Sequence, residues 1–198
     1  EDADKHCTPE FKREGDVVAL LTGRRITKDS ESDPGFCAVN DLGGSEYLKV
    51  MHNVVAGQPP ALDIEAEKRL HTCLIEAISS NLLSSAHDCS DGGLAVALAE
   101  SSIGGKLGVE ASIVADCSAS VALFGEAQSR AVISLPPDKL GELGELVEKH
   151  AIECTILGKV QGDRFKIDVN GVTVIDREVE QITRVWKNAI PERMEGRA

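Results

Sequence analysis

No apolar run in this 198-residue chain approaches the roughly 20 residues that span a bilayer, so no membrane partner is expected. No Lys/Arg cluster stands out against a formal charge of −12 and a pI near 4.9, and no nucleic-acid partner is expected either. The six cysteines (Cys7, Cys37, Cys73, Cys89, Cys117 and Cys154) contain no C-x-x-C. That spacing disfavours zinc, and without a secretory context it favours free thiols in a cytoplasmic protein over disulfides. The opening EDADKHC has neither an initiator Met nor a signal-peptide apolar region, as expected of a segment from a longer chain. Neither G-x-x-x-x-G-K-[ST] nor G-x-G-x-x-G occurs, which excludes a P-loop and a dinucleotide fingerprint. No G-x-S-x-G elbow occurs, and nothing marks a Cys–His catalytic pair. There is no internal repeat and no low-complexity tract.

What remains is an ordinary globular pattern in which strand and helix signals alternate. Val17–Leu21 between two glycines reads as a buried strand, and the stretch from Arg24 to Asp41 as a loop. Ser45–Val55 reads as a helix stopped by Gly57, Pro59 and Pro60. From Asp63, DIEAEKRLHTCLIEAISS is the clearest amphipathic helix, capped by Asp63, with His71 beside its apolar stripe as a surface or satisfied core histidine. Leu107–Val114, Arg130–Leu135 and Cys154–Val160 are predicted strands, and PPDKLGELGELVEKH a helix with Pro at its start. FKIDV and VTVI, joined by Asn170-Gly171, carry the type I′ hairpin signal. Asp176 is expected to open a last helix that Pro191 ends. The predicted fold is α/β (α+β), a mixed sheet layered with helices, as one domain over residues 1–198 with a core from about 15 to 191.

The chemistry-bearing stretch is SAHDCSDGGLAVALAES, residues 85–101. Asp91 is placed to cap a helix starting near Gly92, and Gly92 and Gly93 let a ligand or another backbone approach its first-turn N–H groups. Those donors favour an anion, so an acidic chain can still hold a phosphate there. The bland alternative is a capped, tightly packed helix with no ligand. His87, Asp88 and Asp91 are weak metal candidates, the carboxylates at a spacing that suits Mg²⁺ shared with phosphates better than a protein-only cage, with structural hydrogen bonding as the default reading. Gly43-Gly44 before Ser45 repeats the Gly-Gly helix start, with Ser45 as its cap. In LFGEAQSRAVISL, Arg130 could meet a phosphate, with a surface ion pair to Glu126 as the ordinary reading.

LGGSEYLKV, PPALDIEAEKRL, SAHDCSDGGLAVALAES, LFGEAQSRAVISL and VWKNAIP, in this order, resemble phosphoribosylformylglycinamidine synthase. The resemblance is to the carboxy-terminal domain of its synthetase subunit, of the aminoimidazole ribonucleotide synthetase superfamily. It implies a part of an ATP- and Mg²⁺-dependent amidoligase that converts formylglycinamide ribonucleotide to formylglycinamidine ribonucleotide in purine biosynthesis. ATP would activate the formamide oxygen, and ammonia from glutamine would displace the resulting phosphate. Implied partners are the amino-terminal domains of the same chain, a glutaminase subunit or domain, and a small accessory subunit. On this reading Asp88, Ser90, Asp91, Gly92 and Gly93 face phosphate, with Gly43 and Gly44 second, and no catalytic side chain is assigned. Two other readings stay open: a purely structural docking domain, or the matching domain of another synthetase or kinase of the superfamily.

Overall fold

The computed structural model describes residues 5–23 and 39–194. Most of the expected Arg24–Asp41 loop, and Cys37 with it, lies outside the described residues; its end forms a 3-10 turn, Val39–Leu42. Among the described residues seven strands make one sheet: β1 (Val17–Thr22), β2 (Ser85–Asp88), β3 (Val109–Ile113), β4 (Arg130–Leu135), β5 (Glu153–Val160), β6 (Arg164–Val169) and β7 (Val172–Glu178). Their order is β2-β4-β1-β5-β3-β6-β7, antiparallel throughout except for the parallel β3–β6 pair. The helices are α1 (Glu46–His52), α2 (Ile64–Ser79), α3 (Gly93–Gly105), α4 (Ala119–Phe124), α5 (Leu140–Lys149) and α6 (Val179–Met194). The expected mixed sheet with layered helices is therefore present.

Strand periodicity sorts the core into two halves. Val18, Leu20 and Val132 point to one face, where they meet Leu94 and Leu98 of α3, Val121 of α4 and Val179 of α6. Ala19, Leu21, Ile133 and Leu135 point to the other, against Leu70, Cys73 and Ala77 of α2 and Leu143 of α5. Because helices cover both faces of β4, all six of its residues are buried, which explains why RAVISL does not alternate. α3 is likewise enclosed, and so lacks a polar face.

Asp63 caps α2 as expected, its Oδ1 accepting from the N–H groups of Glu65 and Ala66 at 3.0 Å each. Asn170 and Gly171 have φ of 51° and 79°, the left-handed values that a type I′ turn requires. His71 is exposed and paired with Glu67. Three expectations change. β7 continues through Asp176, which pairs with Arg164 at 2.8 Å across the hairpin, so α6 starts only at Val179. Pro191 lies inside α6 near its end, where a missing N–H removes one bond without stopping the last turn. Cys117 is disulfide-bonded rather than a free thiol, whereas Cys7, Cys73, Cys89 and Cys154 are free. Burial pushes the Cys73 and Cys154 thiols up to about 11.

Candidate functional site

Among the described residues β2 is an edge strand, paired only to β4, and its last residue, Asp88, lies opposite Ala131. The chain then turns through Cys89–Gly92 into α3, with the Cys89 N–H donating to the Arg130 carbonyl at 3.0 Å. The SAHDCSDGG stretch thus sits beside the start of β4. Around it opens a pocket of about 360 Å³, bordered by Asp88, Ser90, Asp91, Glu126, Arg130 and, from α2, His71. A larger groove of about 510 Å³ between α1, α4 and β7, where Tyr47 stacks on Phe124, is almost wholly apolar and lacks these groups.

Asp88 is exposed, and the Ser90 hydroxyl donates to its Oδ2 at 2.6 Å. That bond, with lesser help from the neighbouring His87, lowers the Asp88 pKa below the ordinary aspartate value and keeps it ionised. His87 is fixed from two sides, by Glu100 Oε2 at 3.0 Å and by the Asp88 carbonyl at 2.8 Å. Among the described residues no cluster of three or more His, Cys, Asp or Glu side chains is placed to hold a metal.

Asp91 does not cap α3. The cap position is Gly92, at φ 81°, with no side-chain hydrogen bond. Asp91 instead projects into solvent, close enough to α1 for its charge to reach Lys49, whose pKa is raised chiefly by its own bond to Glu46. Gly93 has φ 66°, and a Cβ there would sit 2.5 Å from the Gly125 carbonyl oxygen and 3.0 Å from that of Leu123. The close approach that Gly93 allows is therefore to the protein's own α4–β4 corner. At the other Gly-Gly start, Gly44 donates its N–H to Ala56 at 2.9 Å and Ser45 donates its N–H to Leu42 at 3.1 Å. The Ser45 hydroxyl caps α1 by accepting from the Leu48 N–H at 3.3 Å, as expected.

The two Gly-Gly starts meet at Glu126, whose role sequence reading missed. Its Oε1 accepts from the Gly92 N–H at 2.8 Å and from the Glu46 N–H at 3.0 Å. Glu126 is therefore not the ion-pair partner of Arg130, which is buried and donates through Nη2 to the Gly125 carbonyl at 3.3 Å. Arg130 Nε and Nη1 have no partner among the described residues. A buried guanidinium with donors outside any regular hydrogen bond, beside an open pocket, is a candidate anion contact. Its charge also reaches the Cys89 sulfur, where burial dominates and raises the thiol pKa.

Residues 13–170 match the family described as AIR synthase related protein, C-terminal domain. The chain belongs to that family. It is 39% identical over 195 residues to phosphoribosylformylglycinamidine synthase subunit PurL of Caldanaerobacter subterraneus subsp. tengcongensis, covering 98% of this chain and 25% of that protein. It is 36% identical over 190 residues to the PurL subunit of Moorella thermoacetica, covering 96% and 24%. The chain thus spans about a quarter of the length of these relatives. Thermotoga maritima PurL complexed with ATP has the same fold at a TM-score of 0.68 and 19% identity, over 91% of this chain and 28% of that one. The same protein complexed with FGAR gives 0.70 and 20%, over 91% and 30%. Escherichia coli HypE shares the fold at 0.54 and 14% identity, over 87% of this chain and 52% of its own.

Proposed function

We propose that this domain is the carboxy-terminal part of a synthetase that converts formylglycinamide ribonucleotide to formylglycinamidine ribonucleotide, with ATP as the activating reagent. The reading rests on the near-complete match of the chain to PurL subunits, joined to one observation at the site. An exposed, ionised Asp88 held by Ser90 shares a pocket with a buried Arg130 that has idle donors. A carboxylate for a metal and a cation for a phosphate, bordering one pocket, suit a metal-bound nucleotide.

In this reading Asp88, with Asp91 as a lesser ligand, would hold a Mg²⁺ ion, which would supply positive charge to offset that of the phosphates. Ser90 and Arg130 face the phosphates. Gly92 and Gly93 give that loop its shape, and Gly43 and Gly44 do the same beside α1. The remainder of the synthetase supplies the main catalytic groups, so the domain by itself turns over no ATP. Ammonia arrives from a glutaminase partner, a small accessory subunit completes the assembly, and the setting is cytoplasmic.

The test is Asp88→Asn and Ser90→Ala in the full-length synthetase. The KM for MgATP should rise about tenfold or more, since a charge-assisted contact made by bound nucleotide is lost. The unfolding midpoint should stay put, because both side chains are exposed. Unchanged MgATP kinetics in both variants would leave the domain as a structural module.

A further inference from the structure

Two helix starts, far apart in sequence, share one carboxylate oxygen, and a cap for either helix alone does not need that arrangement. Glu126 lies 80 residues from Glu46 and 34 from Gly92, and both N–H groups converge on its Oε1. Each donor opens a helix, where unpaired N–H groups and the helix dipole make a carboxylate most favourable. Glu126 is itself held at its base, since its N–H donates to the Asp41 carbonyl at 2.9 Å. The carbonyl before it, on Gly125, takes the Arg130 guanidinium and limits Gly93 to glycine. Residues 125 and 126 thus touch α1, α3, the Val39–Leu42 turn and the start of β4.

We propose that Glu126 is a positioning residue for the nucleotide site: its single oxygen ties α1 to the Gly92 turn and so sets the Asp88–Gly93 loop in its binding shape. The proposal rests on the nucleotide reading above. It also says which amides an external phosphate does not use. Those of Gly92 and Glu46 already serve an internal anion, so an incoming phosphate meets Ser90, Arg130 and the cation held by Asp88. A residue that mattered only for stability would change the unfolding midpoint and leave the affinity of the folded protein alone.

The experiment is a calorimetric titration of MgATP into the full-length synthetase and its variants. Glu126→Ala should weaken binding about ten- to hundredfold, as expected when charged hydrogen bonds that fix a loop are lost. Acetate in the buffer should restore much of the loss by occupying the vacated amides. Glu126→Gln keeps an acceptor at Oε1 and should bind within about threefold of the wild type. Glu126→Asp, one methylene short, should behave like the alanine variant. Should Glu126→Ala fail to fold, the order of Gln over Asp decides. Equal affinity in folded Glu126→Ala and the wild type, or Asp binding better than Gln, would overturn the proposal. Asp88→Asn in the same titration reads the site itself. If it leaves MgATP binding unchanged, the nucleotide reading fails and takes this inference with it. If it weakens binding while Glu126→Ala does not, only the role of Glu126 fails.

Discussion

The Gly43–Ser45 and Gly92–Gly93 turns begin with the same sequence signal, two glycines ahead of a helix, and work in different ways. α1 has no buried residue and is capped by its own Ser45. α3 is enclosed by the core and has no side-chain cap, relying on a carboxylate from another part of the chain. Gly44, at φ 74°, faces open space, whereas Gly93 is pressed against the Gly125 carbonyl. A Gly-Gly helix start is therefore evidence of a tight turn, and only its surroundings say whether a ligand, a carbonyl or nothing fills the gap.

The largest expected effect separates the two glycines. Gly93→Ala should destabilise the chain by about 3 kcal/mol, from left-handed strain plus a collision with backbone that cannot move aside. Gly44→Ala should cost about 1 kcal/mol, from strain alone. Urea unfolding of the two variants checks the difference, and equal losses would erase the distinction between the turns. A smaller contrast concerns the caps. Ser45→Ala should destabilise by roughly 1 kcal/mol. Asp91→Ala should change stability by less than about 0.5 kcal/mol, as at a solvent-facing position with no capping bond. A comparable loss in Asp91→Ala would mean that it caps α3 after all.

Much of the fold was legible because its signals are local. The Asp63 cap needs only the next three residues, and the Asn170-Gly171 turn only its two flanking runs. RAVISL was readable as a strand because a run buried on both faces stays apolar throughout. What escaped depends on distant partners. β2 is four residues of SAHD, and it is a strand only because Ser85–Asp88 fall in register with β4. The six-residue α4 is too short to show a period. Asp176 resembles a helix opener until Arg164 is seen across the hairpin. At the site, the residue types of Asp88, Ser90 and Arg130 were visible, but the burial and idle donors of Arg130 were not. The role of Glu126 joins positions 80 and 34 residues away, and no local pattern encodes it.

The contrast between the two turns is tested most directly by hydrogen–deuterium exchange of the full-length synthetase with and without MgATP. Peptides covering residues 86–96 should gain protection on nucleotide binding, because Asp88, Ser90 and Asp91 border the pocket proposed to take the phosphates. Peptides covering residues 43–52, which do not border that pocket, should be unchanged. Protection at 43–52 with none at 86–96 would contradict this assignment of the ligand-facing edge.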